Sequence, residues 1–313
     1  MKNWIIIAWL MSAIACSAQT PVEPAAPTQP TPDSVTFEDV LKDYQTLNQR
    51  LDRVADRLKI SNAPLCPQIT RDPGFTVHSL GDYPEQIRKI AQEFLDVSTA
   101  LSLRAVREGS SAYEAGLRTG DQLLALNGHG LPSGQTAQTM YRALSRSAFR
   151  QDIVSVSVRR ETQNIRVNIR PENTCGYPVT VFFSEYVNAR TDGEDIHVTS
   201  ELVRQFKDDN SLALVIAHEL AHAVAAYSNS PLSKTSRKQL ELEADRMALI
   251  MMARAGYDMD AAITYWQNRD HPHPAGHSET HPDLGARLEN FRKTQDWISR
   301  KLARGDTLTF ETE

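Results

Sequence analysis

Two histidines four residues apart within a long apolar segment constrain this chain more than any other feature. His218 and His222 flank Glu219, and the residues before them, 212–217, are all apolar and include neither glycine nor proline. Such a run predicts a buried helix. On a helix, side chains at positions i and i+4 share one face, so both imidazoles can bind the same metal ion. Glu219 then lies where it can accept a proton from a metal-bound water.

A second acidic pattern downstream supplies candidates for the rest of a metal site. Glu241 and Asp245 are separated by one helical turn, with Glu243 between them. Hydrolytic zinc sites usually have three protein ligands and leave a fourth position to water. We therefore predict that Glu241 is the third ligand, that Asp245 accepts the free ring N–H of His218, and that Glu243 is a surface charge. Taken alone, these carboxylates are typical of a solvated helix face, but the upstream histidine pair favours one Zn²⁺ per chain.

This ligand set predicts a reaction class. Zinc lowers the pKa of its bound water to about 7 and polarises a carbonyl group. Glu219 can then act as general base toward the water and pass the proton to the leaving amine. The sequence thus indicates metal-assisted hydrolysis of a peptide bond, without a serine or cysteine nucleophile.

Four motifs in a fixed order resemble one family. The resemblance is carried by four motifs. They are the segment 186–198, which precedes the predicted zinc helix, the segment 218–222 on that helix, the Glu241/Asp245 pair, and the later segment 280–288 (Thr-His-Pro-Asp-Leu-Gly-Ala-Arg-Leu). Together they resemble the gluzincin metallopeptidases related to the CAAX prenyl protease and the bacterial peptidases HtpX and BepA. The resemblance covers roughly residues 175 to 290 and implies an edge strand and hairpin over 186–198.

The resemblance also implies roles for individual residues. It implies that Zn²⁺ is bound by His218, His222 and Glu241 and that Glu219 is catalytic. Asn188 is expected to help hold the substrate backbone, and His281 and Arg287 are expected to lie at the catalytic cleft. In soluble relatives the histidine that matches His281 can occupy the fourth zinc position, so His281 is a candidate switch. The nearby histidines at 271, 273 and 277 are either polar residues of a flexible lid or, less simply, a second metal site.

A second module precedes the zinc motifs. Residues 106–128 resemble the centre of a PDZ domain, with a strand, a glycine-punctuated turn, a short helix and a strand that ends in an Asn-Gly turn signal. A helix near 136–145 and two alternating strands, 153–158 and 165–169, follow. PDZ domains bind extended peptides by strand addition. Because 96–103 lacks a glycine-rich carboxylate-binding loop, capture of a peptide C-terminus is in doubt, and a spacer or intramolecular lid is the alternative.

The first residues predict the compartment. Lys2 precedes an apolar run over 4–15, which is too short to span a bilayer comfortably and is typical of a secretory signal. The residues 13–16 resemble a lipobox, which predicts lipidation of Cys16 and an outer-membrane lipoprotein facing the periplasm. Ordinary cleavage after Ala15 or Ala18 is the alternative. The Pro-, Thr- and Ala-rich stretch 20–32 predicts an extended tether.

The chain has three cysteines, so in an exported protein one of them has no partner for a disulfide within the chain. If Cys16 carries lipid, Cys66 and Cys175 remain as a pair in an oxidising compartment and are expected to form a disulfide. Two unpaired buried thiols are the alternative.

These observations predict an α+β fold in five segments. They are a signal peptide (1–15), a tether (16–36), an N-terminal helical part of the peptidase domain (37–95), a PDZ-like domain (96–171) and a zinc metallopeptidase domain (172–313). The peptidase domain is expected to be mainly helical with a small edge sheet, and the PDZ-like module to be rich in strands. A net charge of −5 argues against a nucleic-acid partner.

Two functions follow from this organisation. The first is a zinc endopeptidase that hydrolyses misfolded or unassembled cell-envelope proteins, anchored to the membrane through a lipid at Cys16. The second is a chaperone-like factor that binds clients through the PDZ-like module and whose zinc site is latent.

Overall fold

The computed structural model of the protein describes residues 36–227, 236–268 and 282–311. Its α-helices are α1 (Phe37–Ser61), α2 (Arg88–Leu95), α3 (Ser111–Glu114), α4 (Ala137–Ala148), α5 (Ser200–Gln205), α6 (Asp209–Tyr227), α7 (Arg237–Arg254), α8 (Met259–Asn268) and α9 (Leu284–Ala303). Its strands are β1 (Ile69–Asp72), β2 (Phe75–His78), β3 (Ser102–Val106), β4 (Gln122–Leu126), β5 (His129–Gly130), β6 (Val154–Arg160), β7 (Gln163–Ile169), β8 (Glu172–Cys175), β9 (Val179–Phe182), β10 (Ala189–Thr191) and β11 (Ile196–Thr199).

The first helix, α1, packs through one apolar face against the C-terminal helices. Leu47, Leu51, Val54 and Leu58 recur at helical spacing and are buried in the same hydrophobic cluster as α6 and α7. Just after α1, the buried Asn62 amide donates a hydrogen bond to the carbonyl of Met251 on α7 at 3.0 Å. The two ends of the described chain are therefore joined in one core.

The helix α6 lies at the centre of this core. It is apolar on nearly every side, as a helix surrounded by other elements must be. A three-stranded sheet covers one part of it, with β11 in the middle, parallel to β9 and antiparallel to β10. The hairpin predicted before the zinc helix is thus present as β10 and β11, and β10 is an edge strand.

A second hydrophobic cluster belongs to the PDZ-like module. Its sheet has the strand order β2-β3-β4-β6-β7, with β5 paired to β4. Leu103, Leu123, Val156 and Ile169 are buried between this sheet and its helices. The sequence predicts that the module begins at residue 96, but its sheet also includes β2, which lies before that residue. The domain boundaries stay predictions.

Cys66 and Cys175 form a disulfide, with their Cα atoms 5.4 Å apart. Cys175 is the last residue of β8, and Cys66 lies shortly before β1. The two strands are paired, and their register aligns Ile69 with Cys175 and Asp72 with Glu172. The chain between the cysteines contains the PDZ-like sheet. The disulfide therefore closes the base of the segment that leaves the helical core and returns to it.

We expect removal of this disulfide to destabilise the protein by about 2–5 kcal/mol, because it constrains a long loop in the unfolded chain. The cysteines are separated by 109 residues. The disulfide therefore closes a long loop, and the stabilisation increases with the length of the closed loop. The free energy of unfolding in urea, compared between the wild type and the double variant Cys66→Ser/Cys175→Ser, measures the effect. A reductant should lower the stability of the wild type to that of the variant and leave the variant unchanged. Equal stability of oxidised and reduced wild type would contradict the expectation.

The described residues confirm the predicted α+β class. None of the helices described is long and apolar enough to cross a membrane. The predicted signal peptide, the tether through residue 35 and Cys16 lie outside the described residues, as do the histidines at 271, 273, 277 and 281.

Candidate metal centre

The helices α6 and α7 bring the two sequence motifs together. On α6, the apolar residues around the histidines are buried and fix the helix in the core. His218 and His222 share the remaining polar face, because they are one turn apart. On α7, Glu241 projects toward the same face from a helix that begins with a capping box formed by Ser236 and Gln239. The site is therefore built on two rigid elements.

The three predicted ligands lie close enough to hold one metal ion. The Nε2 atoms of His218 and His222 are 3.1 Å apart. The Glu241 carboxylate oxygens lie 3.3 Å from the Nε2 of His218 and 3.5 Å from the Nε2 of His222. One ligand atom from each residue falls within 4.8 Å of the others, so the structure brings these three residues together as the sequence predicts.

These separations fit zinc. Two ligand atoms that are each about 2.0–2.1 Å from a tetrahedral Zn²⁺ are separated by roughly 3.4 Å, and the three pairs at this site lie between 3.1 and 3.5 Å. Two imidazoles and one carboxylate are also the donor set of many hydrolytic zinc sites. Such a set leaves one tetrahedral position open.

Asp245 fixes the orientation of His218. It lies one turn after Glu241 on α7, is fully buried, and accepts a hydrogen bond from the Nδ1 of His218 at 3.0 Å. An ionised carboxylate can only accept, so the Nδ1 must carry a proton, and the Nε2 is the nitrogen that can bind a metal.

Arg287 in turn holds Asp245. Its Nε donates to the Oδ2 of Asp245 at 2.8 Å, and its Nη2 donates to the Oδ1. The guanidinium also lies over the ring of Trp266 on α8, 5.2 Å from the ring centroid. The structure thus places Arg287 behind the metal ligands, in contact with Asp245. No sequence motif indicated the contribution of Trp266, because its contact is formed only when α8 and α9 meet.

The electrostatics of the site favour a cation. Burial by itself lowers the pKa of His218, but hydrogen bonds to Asp245 and Glu241 outweigh it and raise the pKa to about 9. Burial raises the pKa of Glu241, but hydrogen bonds from His218 and His222 hold it below its usual range. Burial likewise raises the pKa of Asp245, and hydrogen bonds from His218 and Arg287 hold it below its usual range. Both carboxylates are therefore kept ionised around a position that attracts positive charge.

The other predicted site residues have separate positions. Glu219 is partly buried on α6, next to His218 in the chain, and interacts electrostatically with Arg287. Asn188 is exposed and directly precedes the edge strand β10. Its backbone N–H donates to the Oγ1 of Thr199 and its carbonyl accepts from the N–H of Thr199, both at 3.0 Å. The roles assigned to these residues stay predictions.

A second group of potential ligands occurs in the β10–β11 hairpin. Asp192, Asp195 and His197 have ligand atoms near one another. The Asp192 carboxylate accepts hydrogen bonds from the N–H groups of Glu194 and Asp195. This arrangement closes the hairpin turn and explains the cluster without a metal.

Comparison with known proteins adds a family match over residues 156–295. Residues 156–233 and 224–295 match the model of a family described as Peptidase family M48. A curated relative, the mitochondrial metalloendopeptidase OMA1 of Schizosaccharomyces pombe (strain 972 / ATCC 24843), is 26% identical over 153 residues, which are 37% of this chain and 44% of the relative. The match thus spans less than half the length of that relative.

Part of the chain is similar to solved PDZ domains. The HtrA3 PDZ domain, in a crystal structure with a phage-derived ligand (FGRWV), is 20% identical and covers 34% of this chain and 89% of its own, with a TM-score of 0.26. The PDZ domain of EpsC from Vibrio cholerae, residues 219–305, is 25% identical and covers 23% of this chain and 77% of its own, with a TM-score of 0.19.

Proposed function

We propose that the protein is a zinc-dependent endopeptidase, because residues 156–233 and 224–295 match the model of Peptidase family M48. The observation that carries this proposal is the cluster of His218, His222 and Glu241, whose ligand atoms have the separations of a tetrahedral zinc site. These three residues would hold the metal. Bound zinc supplies Lewis-acid chemistry, in which it acidifies water and polarises the carbonyl oxygen of a peptide bond.

Glu219 would move the proton in this reaction. Glu219 follows His218 directly on α6, and its charge interacts with Arg287, which binds Asp245 beside the ligand cluster. A carboxylate oxygen of Glu219 accepts the proton of the attacking water and then delivers it to the amide nitrogen as the peptide bond breaks. Asp245 keeps the proton of His218 on Nδ1 throughout, and Arg287 keeps Asp245 ionised.

The edge strand β10 would orient the substrate. Its partner β11 lies on one side only, so its other edge can pair with an extended segment. The backbone of Asn188 is already paired with Thr199. The exposed side-chain amide of Asn188 is therefore the group that remains to contact the substrate backbone at the start of the strand.

The substrate class that we propose is unfolded or unassembled protein of the cell envelope. Strand pairing requires an extended segment, which a folded protein rarely exposes. The proposed cell-envelope location of the protein is supported by the sequence alone. The supporting features are the apolar run over 4–15 and the predicted lipidation signal at Cys16. A client-binding factor with a latent zinc site is the second candidate.

Removal and return of the metal test the proposal. We expect the protein to contain one zinc ion per chain and to hydrolyse casein, an unfolded protein. A chelator should abolish the hydrolysis, and Zn²⁺ but not Mg²⁺ should restore it, because imidazole nitrogens suit zinc better than magnesium. Zinc content by elemental analysis and fragment release by gel electrophoresis are the measurements. Hydrolysis that persists in the metal-free protein would refute the metal mechanism, and a zinc-loaded protein without activity would favour the latent site.

A further inference from the structure

The side chain of Arg287 is held between two other helices. Arg287 lies in the first turn of α9, and contacts to its guanidinium come from α7 and from α8. On α7, Asp245 accepts two hydrogen bonds from the guanidinium. On α8, the guanidinium lies over the ring of Trp266, with its central carbon 5.2 Å from the ring centroid. The group that binds Asp245 is therefore in contact with an aromatic ring as well.

The packing of α8 against α9 brings Trp266 to this position. Near the start of α8, the Oδ1 of Asp260 accepts a hydrogen bond at 2.7 Å from the Nε2 of Gln295, in the middle of α9. Near the end of α8, Trp266 meets Arg287 near the start of α9. The two helices are therefore antiparallel neighbours, because the later contact on α8 is the earlier contact on α9.

Apolar packing fixes Trp266 on α8. Ala262 and Ile263, which lie four and three residues before Trp266, are buried, and residues at these spacings share one face of a helix. The Trp266 ring continues this face and packs against the same hydrophobic cluster as α6 and α7. The ring is therefore part of the packed core and offers Arg287 a fixed surface.

A further contact fixes α9 against α7. The Nδ2 of Asn290 donates a hydrogen bond to the carbonyl of Leu242 at 2.7 Å. Leu242 lies three residues before Asp245, and Asn290 lies three residues after Arg287. The helix backbones therefore place Arg287 beside Asp245, but the orientation of the guanidinium plane depends on the side chains that contact it.

The surroundings of Arg287 favour a cation–π contact. The side chain of Arg287 is 15% exposed and that of Asp245 is 1% exposed, so water is largely excluded from their pair. The negative face of an indole ring attracts a guanidinium, and this attraction is larger where water is excluded. A guanidinium can stack on a ring while its edge donates two hydrogen bonds to a carboxylate. The ring can therefore hold the guanidinium plane without competing for its N–H groups.

We propose that Trp266 is a positioning residue for the metal centre. Its ring holds Arg287 in the orientation in which two N–H groups reach Asp245, and Asp245 in turn holds the Nδ1 of His218. This inference rests on the proposed function for the identity of the metal as zinc. It extends the chain of contacts behind the ligands to α8, a helix that contributes none of the three predicted ligands.

Fluorinated tryptophans at position 266 test the electrostatic part of this contact. Fluorine weakens the negative face of an indole ring with little change in its size, so a ring that only fills space would not respond. We expect the dissociation constant for zinc to rise from tryptophan through its monofluoro, difluoro and tetrafluoro analogues, by about tenfold over the series. The stability of the metal-free protein should fall in the same order. The measurements are competition for zinc with a chromogenic chelator and unfolding in urea.

Trp297 provides the matched control. It lies on α9, and the Nζ of Lys301 lies over its ring, 5.8 Å from the ring centroid, so it makes the same kind of contact. Fluorinated tryptophans at position 297 should leave the zinc affinity unchanged. Trp266→Phe, which keeps an aromatic face, should bind zinc more tightly than Trp266→Leu, which does not.

Several outcomes would overturn the proposal. They are a constant zinc affinity over the series at position 266, an equal loss at position 297, and equal zinc affinities of Trp266→Phe and Trp266→Leu. Casein that stays intact although zinc affinity follows the series at 266 would contradict the peptidase function alone. If the wild type bound no zinc, the proposed function would fail, and the stability series of the metal-free protein would still decide whether the ring holds Arg287.

Discussion

Replacement of Glu219 by glutamine is expected to lower kcat/KM for casein hydrolysis by about 10²–10⁴-fold while zinc stays bound. Glutamine keeps the size and hydrogen-bonding reach of glutamate but cannot accept the proton of the attacking water. Glu219 is not one of the three residues whose ligand atoms cluster. The metal content should therefore not change, and the measurements are initial rates of fragment release together with zinc per chain.

Glu243→Gln is the matched control for this variant. Glu243 lies on α7 two residues after the predicted ligand Glu241, and its carboxylate pairs with Arg246, whose Nε lies 2.9 Å from the Oε2 of Glu243. It has no contact with the histidine pair, so its neutralisation should leave both activity and zinc content unchanged. If Glu219→Gln retained wild-type activity, another group would be the base. If it lost zinc together with activity, Glu219 would be a structural part of the metal site.

The local parts of this site could be predicted from the sequence. The apolar run of α6 and the spacing of its histidines determine a helix with two ligands on one face, and the spacing of Glu241 and Asp245 places them on one face of α7. The strands β6 and β7 were likewise predicted from alternation, to within two residues at their ends. In each case the residues that produce the pattern are neighbours in the sequence.

The contacts between distant segments could not be predicted. Strand β2 has only four residues and pairs with β3 across a segment that includes α2, so its pattern is too short to identify a strand. The close approach of Gly74 to Ser110 shows the same limit. A Cβ on Gly74 would lie 2.4 Å from that of Ser110, a packing constraint that only the fold reveals. The open edge of the PDZ-like sheet therefore lies at β2, which comes before residues 96–103 in the sequence.

Arg287 shows how the fold refines a role that the sequence indicates. The family resemblance implies a position at the cleft, and the structure places the guanidinium on the buried Asp245, with a bidentate contact. Arg287 therefore acts as a positioning residue through Asp245 and His218, because it has no direct contact with the ligand atoms in the described residues. A role of this kind predicts effects on zinc affinity as well as on stability.

Arg287→Ala is expected to destabilise the metal-free protein by about 3–5 kcal/mol, because it leaves a buried carboxylate without its main partner. Zinc affinity should fall by about 10–100-fold, since Asp245 would no longer hold His218 in one orientation. Arg287→Lys should retain only part of the wild-type stability and zinc affinity, because an ammonium cannot form the two parallel hydrogen bonds of a guanidinium. The measurements are urea unfolding of the zinc-free protein and competition for zinc with a chromogenic chelator.

A double-mutant cycle separates positioning from a general loss of packing. Asp245→Asn removes the buried charge that Arg287 neutralises, so Arg287→Ala should cost much less stability in that background than in the wild type. Arg292→Ala, which truncates an exposed arginine on the same helix α9, should change neither stability nor zinc affinity. Strictly additive effects of the Arg287 and Asp245 substitutions would contradict the chain of contacts from Arg287 through Asp245 to His218. Non-additive stability with unchanged zinc affinity would restrict Arg287 to the packing of α7 against α9. This chain of contacts predicts that Arg287→Ala lowers both stability and zinc affinity and that Arg287→Lys recovers part of each. The reason is that the orientation of His218 and the ionisation of Asp245 depend on the same guanidinium.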